Sequence, residues 1–479
     1  MPVILPALLL ACGTPAPTYV DGPDSPLTLR LVNPTSCSYC DPFQGVDTLR
    51  IDVLVGTEVV ESASFSWPED ELVMPGLDGF GVVRVQLVGL QAGVVISAGR
   101  TAEIPLAPDT PIEVPILFLP SNTAIPLSAT MTADRSRHVA LRRRDGSVVL
   151  MGGVNPDHDG TFASVERFDP TTWTFATEPT ELPGPVASPR RAWTGRDEFL
   201  MVGGFNTSPT GDVASSSTAA WSEVTGEVRA TASLYAPRNG HCFAMYRERL
   251  GIVLGGNADT AAGELVKVSE TTADWEFVNV PMRDFDQTQV TACVGLADET
   301  VFVQGQDAAS TGIWAFGEED SDAGEAFTPS VALGEGADRY AKSALVLPIG
   351  VDAWVAGGVD PFTGGALDDS RWFRVARNGF EPGLPLGEGR VDPAADEWIV
   401  PGTWVVGCGW KEESRLTGAE SLEIVDPVTG SRSPLVVLDR DRDGCALTTL
   451  LDGTVLVTGG YGPLDDSVVD AAIVVPWID

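Results

Sequence analysis

The chain has 479 residues, enough for two folded domains rather than one ordinary core. Its 43% hydrophobic content supports packed cores and excludes global disorder, and 36 prolines and 51 glycines with little helical periodicity favour an all-β chain rich in turns. A net charge of −37 repels phosphate backbones and anionic lipid; it argues against a nucleic-acid partner and against docking on a membrane by charge, and it fits a soluble, exported surface.

At the N-terminus, Val3 to Ala11 is apolar apart from Pro6 and too short to span a bilayer as a helix. No Lys or Arg precedes it, although export signals normally start positive. The segment Leu9-Leu10-Ala11-Cys12 resembles the bacterial lipobox. That resemblance implies a signal peptide over 1–11 and a lipidated Cys12 as the first mature residue. Gly13 is not the Asp that retains enteric lipoproteins at the inner membrane, so the implied location is the outer membrane or cell surface. Residues 12–25, rich in Gly, Thr, Pro and Asp, read as a flexible tether.

Over residues 26–120 the chain predicts short strands separated by turns: 27–32, 47–55, 58–67, 82–88, 93–97 and 112–119. Alternation is visible in Leu49-Arg50-Ile51-Asp52-Val53. Six or seven such strands predict an antiparallel, immunoglobulin-like β-sandwich, although the Cys–Trp–Cys core pattern is missing. Six cysteines follow Cys12, an even number that permits disulfides in an exported chain. Cys37-Ser-Tyr-Cys40 predicts a small loop disulfide, since no second CxxC completes a zinc site. Cys242 and Cys293 hold nearly the same repeat position, and they, like Cys408 and Cys445, are candidate pairs that sequence leaves open.

From residue 121 to 479 a Gly pair closes a short apolar run again and again. The pairs are Gly152-Gly153, Gly203-Gly204, Gly255-Gly256, Gly357-Gly358 and Gly459-Gly460, with degenerate copies at Gly305-Gln306 and Gly407-Cys408-Gly409. The first glycines stand at 152, 203, 255, 305, 357, 407 and 459, so seven units recur about every fifty residues. Such a repeat of short strands is the signature of a β-propeller. Arg135, Arg238 and Arg442 lie 17 residues before their glycines, and His138, His241 and Cys445 lie 14 before them. Asp-Pro turns follow at Asp169-Pro170 and Asp426-Pro427, and Trp173 or Trp275 opens the last strand. This order resembles the kelch repeat, most clearly in the first, third and seventh units. The resemblance implies a seven-bladed kelch-like propeller. Only twenty residues follow Gly459, so the segment around Ile125–Met131 is expected to complete the last blade.

One face of such a ring gathers the segments before each first strand and the loops after each Gly pair, and function is expected there. Arg135, Arg238, Arg339 and Arg442 would form a partial ring on it, with Asp157, His158 and Trp410 from the loops. The alternative is that each Arg satisfies carbonyls and acids within its own blade. His138 and His241 share one repeat position, which points to structure rather than catalysis. Asp439-Arg440-Asp441-Arg442-Asp443-Gly444 matches the start of a calcium loop, but Leu450 stands where the closing Glu belongs, so calcium is only a weak candidate.

The kelch-like galactose oxidase group holds copper with two His, two Tyr and a crosslinked Cys. Three His and six Tyr, none suitably spaced, do not suggest that set here. A sugar epimerase or mutarotase, as in one bacterial kelch family, would need a carboxylate and an Arg in the central pocket. No spacing singles such residues out. The sequence therefore leads to a lipid-anchored envelope protein that binds a protein or glycan, is not an enzyme and takes no cofactor. The alternatives are a carbohydrate-active propeller enzyme, marked by a deep axial pocket with converging acid and Arg side chains, and a structural envelope component.

Overall fold

The computed structural model describes residues 27–476, apart from 36, 38–39, 69–71, 73–74, 76, 78–79, 107–111, 156–159, 196, 209, 257–261, 270–273, 282–289, 306–310, 317–324, 330–342, 361, 415–416, 439 and 463–470. The signal, Cys12 and the tether lie outside this range. The fold is all-β, made of many small antiparallel sheets.

The N-terminal part has two sheets over one core. Glu58–Ser66, Thr48–Val55, Val82–Gln91, Val94–Arg100 and Leu119–Pro120 hydrogen-bond in that order, and Ile104–Pro105 adds to Val82–Gln91. Leu27–Val32 pairs with Ile112–Leu117 in parallel. This corrects the expectation of a purely antiparallel arrangement: alternation in sequence sets the buried face, not strand direction. Leu27, Leu29, Leu49, Ile51, Val53, Val85, Leu87 and Ile116 fill the space between the sheets.

Seven further sheets of at least four antiparallel strands follow in chain order, with a separate two-stranded hairpin of Phe205–Ser208 and Gly211–Ala214 between strands of the second. Their first strands are Val139–Arg142, Arg190–Trp193, His241–Arg247, Val290–Gly295, Ala344–Ile349, Ala394–Glu397 and Ala446–Thr449. The last sheet is completed from outside its own repeat: Ala124–Pro126 pairs with Ala471–Val474, as expected from the short tail. A strand borrowed from the start of the chain ties the seventh sheet to the segment that leads into the first, and it covers what would be an open edge.

The Gly pairs form the inner joint between consecutive sheets. Both residues adopt positive φ, for example 62° and 98° at Gly203 and Gly204. A Cβ on Gly203 would lie 2.5 Å from Cε1 of His241, which comes from the next sheet. In the sixth sheet the left-handed pair is Cys408-Gly409, at φ 59° and 89°, whereas Gly407 still belongs to the strand. The repeat is therefore one residue out of the register that the glycines suggest.

All three candidate disulfides form: Cys37–Cys40, Cys242–Cys293 and Cys408–Cys445. The last two join the third sheet to the fourth and the sixth to the seventh, with Cα separations of 5.5 and 6.2 Å.

The N-terminal part rests on hairpins of the sixth and seventh sheets. The Trp398 indole N–H donates to the Gly453 carbonyl at 2.8 Å, and the Arg100 guanidinium lies 5.6 Å from the Trp398 ring centroid. Burial draws the pKa of Arg100 down to about 10 and pushes the Asp452 carboxyl up. Both hairpins join first strands to second strands, so this junction occupies the end of the sheets opposite the segments that lead into the first strands.

Gly203→Ala adds a Cβ against His241 and the Arg238 carbonyl in a left-handed backbone. The expected cost is about 2 kcal/mol or more. Gly56→Ala has a similar φ with open space around it and should cost about 1 kcal/mol. Urea unfolding of the two variants checks the difference, and equal losses would remove the role given to His241.

Candidate functional site

The arginines expected on the binding face lie inside the sheets instead. Arg135 Nη1–H donates to the Gly152 carbonyl at 2.6 Å, and its other amino group meets Glu166 at 2.5 Å. Arg238 repeats this with the Gly255 carbonyl at 2.7 Å and Glu264 at 3.0 Å. Arg442 donates to the Gly459 carbonyl at 3.0 Å. Arg390, which also stands 17 residues before the first glycine of its unit, Gly407, but was not among the expected residues, donates to the Cys408 carbonyl at 3.2 Å and the Ser421 hydroxyl at 2.6 Å. All four are buried. Their role as a ligand-facing ring is thus corrected: they satisfy carbonyls and acids within their own sheets, because a desolvated guanidinium needs fixed partners.

The other expected residues separate as well. Arg339, Asp157, His158 and Asp439 lie outside the described residues. Trp410 is buried among Val359, Val391 and Tyr461 rather than displayed. Asp441 accepts the Gly418 N–H at 3.0 Å, and Asp443 meets Arg137 at 3.2 Å. These two carboxylates serve different partners, and no trio of metal-binding side chains exists among the described residues. The calcium loop therefore has no geometric support there.

His138 and His241 are buried and bridge neighbouring sheets. Nε2 of His138 lies 2.9 Å from the Thr458 hydroxyl, and Nε2 of His241 lies 3.0 Å from the Val202 carbonyl. Burial, with nearby Arg135 and Arg191 for His138 and Arg190 and Arg238 for His241, lowers both pKa values to about 3.

A cavity of about 910 Å³ opens where the first strands of all seven sheets converge. Its rim is a set of left-handed residues, one from each of six sheets: Arg137, Ser188, Gly240, Ser343, Asp392 and Gly444. Three backbone hydrogen bonds run around it, from Arg137 N–H to Gly444, from Ser188 N–H to Arg137 and from Asp392 N–H to Ser343, at 2.6, 2.9 and 2.9 Å. Four of these six carry a side chain at positive φ, which L-residues seldom adopt, so the rim is a constrained, preorganised element.

Below the rim the wall carries charge. Arg190 and Arg191 stand in the first strand of the second sheet, and Asp392 leads into the sixth. The two sheets are not neighbours, so these charges meet across the cavity. Arg190 Nε–H donates to the His241 carbonyl at 2.8 Å, and Arg191 Nη1–H donates to the Ala140 carbonyl. Successive strand residues point to opposite sides, and the two guanidiniums therefore splay toward the third and first sheets. Arg190 is exposed in the cavity and Arg191 half-buried; desolvation lowers their pKa values, opposed by Asp392 for Arg190 and Asp396 for Arg191. Further along the sixth sheet's first strand, burial pushes Asp396 up, and Asp396 accepts the Thr449 N–H at 2.7 Å.

Sequence reasoning missed this trio although a signal was present. Arg190-Arg191 occupies the place where other repeats carry Val139-Ala140, Cys242-Phe243, Ala344-Leu345 and Ala446-Leu447. Two cations in an apolar register have a local reason to be there.

No family model and no curated protein matches the chain. Among solved structures, a fungal alcohol oxidase of the AA5 family in complex with copper matches with a TM-score of 0.55 and 14% identity, over 72% of this chain and 74% of its own. This likeness corrects two expectations, that the chain is not an enzyme and that it takes no cofactor: a fold of this kind carries copper and oxidises alcohols in that protein. At this identity the likeness is one of fold. The described residues do not fit the copper set of the galactose oxidase group, because every described cysteine is in a disulfide and both described histidines hold neighbouring sheets together.

The histidines predict a pH dependence. Their native pKa values lie below the unfolded value of about 6.5, so their contribution is complete above pH 6.5 and is lost as pH falls toward about 3. Between pH 7.5 and 5 each should cost about 2 kcal/mol. Urea unfolding across this range should be steep for the wild type and flatter for the His138→Gln, His241→Gln double variant.

Proposed function

We propose that the protein is an exported, carbohydrate-active enzyme built on a seven-bladed kelch-like propeller, with the axial cavity as its active site. The observation that carries the reading is Arg190, Arg191 and Asp392 converging in one cavity at the centre of seven sheets. The propeller reading rests on the seven four-stranded sheets, their closure by Ala124–Pro126 and the repeated Arg-to-Gly carbonyl bond. Two sheets over one core, one of them the parallel pair Leu27–Val32 and Ile112–Leu117, support an immunoglobulin-like N-terminal domain. Export and a lipid anchor at Cys12 rest on the lipobox-like segment, and three disulfides agree with an oxidising compartment. The substrate would then be an envelope or extracellular sugar.

The chemistry that the cavity supports is ring opening and closure at a reducing sugar. Asp392 takes the proton of the anomeric hydroxyl as the bond from the anomeric carbon to the ring oxygen breaks. The ring oxygen leaves as an alkoxide and takes that proton back from Asp392. Rotation of the aldehyde and reclosure by the same steps invert the anomeric centre, with no net gain or loss of atoms or electrons. Arg191, steadied by the Ala140 carbonyl and facing Asp396, stabilises the developing alkoxide.

Anomer exchange followed by proton NMR across a panel of reducing sugars tests this. The wild type should accelerate exchange for at least one sugar. Asp392→Asn should slow it by about 100-fold or more while leaving the fold intact, since Asn tolerates the left-handed backbone at φ 52°. Peroxide production after copper loading is the competing readout. Peroxide without anomer exchange would replace ring opening with oxidation, and neither signal would overturn the enzymatic reading.

A further inference from the structure

We infer that the axial cavity takes a neutral reducing oligosaccharide rather than a single sugar. The unit next to the reducing end is held by Asp212, on the hairpin inserted in the second sheet. This rests on the proposed active site and names the size of its substrate. In the first, fifth and sixth sheets the connection from second to third strand closes on one bridge: Val154–Thr161, Val359–Ala366 or Trp410–Gly418. None of these six residues lines the cavity. In the second sheet the same connection is a ladder of four pairs, Phe205–Ala214, Asn206–Val213, Thr207–Asp212 and Ser208–Gly211. It is the one such ladder among the described residues.

The hairpin is anchored at both ends. Phe205 exchanges two backbone hydrogen bonds with Ala187, both 2.9 Å, and Ser215 accepts the Arg238 N–H at 2.9 Å. Paired residues share a face and successive ones alternate. Phe205, Thr207, Asp212 and Ala214 therefore lie on one face, with Asn206, Ser208, Gly211 and Val213 on the other. Phe205 is buried against Val154 and Ala187, whereas Val213 is 53% exposed, so the first face is turned inward. Phe205 and Asp212 both line the cavity. The insertion thus carries a carboxylate from a firm base to the cavity wall.

Position and charge define what this carboxylate can meet. Asp392 enters from the sixth sheet, three sheets from the second one way round and four the other. Asp212 and Asp392 therefore stand on opposite sides, and a ligand held by both must span the opening. The cavity, about 910 Å³, lies near the upper end of the range of about 300–1,000 Å³ for small-molecule sites, which is more than one hexose needs. On its described lining Arg137, Arg190 and Arg191 balance Asp212, Asp392 and Asp443, so it suits a neutral, hydroxyl-rich body. A carboxylate accepts through both oxygens, which matches the adjacent hydroxyls of a sugar ring.

Anomer exchange by proton NMR and calorimetric binding, with reducing mono-, di- and trisaccharides of glucose, galactose, mannose and N-acetylglucosamine, test the inference on the full chain. For at least one series, kcat/KM should rise about tenfold or more from monosaccharide to disaccharide. Asp212→Asn should cut that advantage to about twofold or less, and the loss should appear in the disaccharide KM rather than in kcat. Asp212 is exposed, so the melting point should not move. Replacing residues 207–212 by two glycines is the second variant, and it should remove the advantage as well. Equal kcat/KM for monosaccharide and disaccharide, or an advantage that survives in both folded variants, overturns the inference while the ring-opening chemistry stands. Tighter disaccharide binding without anomer exchange upholds the inference and defeats the proposed reaction. Neither binding nor exchange in any series overturns both.

Discussion

The structure depends on one joint, the contact between a left-handed glycine pair and a buried guanidinium. At Gly152, Gly255 and Gly459 the chain turns through positive φ, and the first carbonyl of each pair accepts a hydrogen bond from an arginine 17 residues earlier. A guanidinium removed from water is costly unless its donors are used and its charge is met. Glu166 and Glu264 supply the charge for Arg135 and Arg238, and the backbone supplies acceptors that cannot move away. The bare α-carbon of the glycine then lets the next sheet close. Where His241 and His138 pack on Gly203 and Gly459, a methyl group would already collide. Arg390 and Cys408 preserve the same joint with a non-glycine residue, so the carbonyl and its arginine are the conserved geometry of the repeat within this chain.

Because the scaffold closes most of its arginines into such pairs, the cavity becomes legible by contrast. Each sheet contributes the start of its first strand to the cavity. Those strands lie nearest the centre, where backbones crowd and side chains are mostly apolar or small. Arg190 and Arg191 interrupt that rule at the wall, and Arg137 and Asp392 interrupt it at the rim. The rim residues hold positive φ and are partly linked by backbone hydrogen bonds, so their side chains project from a preset ring. The described N-terminal part sits at the opposite end, against the Trp398 and Gly453 hairpins.

Much of the architecture was legible because it repeats. The glycine spacing marked seven units, the short tail after Gly459 called for a borrowed strand, and Ala124–Pro126 supplies it. The site was less legible for the same reason. Repetition draws attention to Arg135, Arg238 and Arg442, yet a residue repeated from sheet to sheet is needed by each sheet that carries it, and these three serve the frame. The candidate site shows itself instead where one copy departs from the others, as Arg190-Arg191 departs from Val139-Ala140 and Cys242-Phe243. Parallel pairing of Leu27–Val32 with Ile112–Leu117 was hidden for another reason: two strands in contact across 80 residues leave no local trace of their relative direction.

The disulfides bear on which chemistry this cavity can host. Cys242, Cys293, Cys408 and Cys445 all line it, and their two bonds staple the third sheet to the fourth and the sixth to the seventh. A sulfur committed to a disulfide cannot also be joined to a tyrosine ring, which the crosslinked copper site of the galactose oxidase group requires. The same bonds fix the spacing of the strands that flank Asp392 and face Arg190. Acid–base chemistry gains from such fixing, because a proton passes efficiently only between groups held near hydrogen-bonding distance, and fixed cations stabilise developing charge without reorganising. With 14% identity to a copper oxidase of similar fold, this chain places cross-links, Arg190, Arg191 and Asp392 around its central cavity. The shared fold supplies the cavity, and the side chains on its wall decide what reaction it can run.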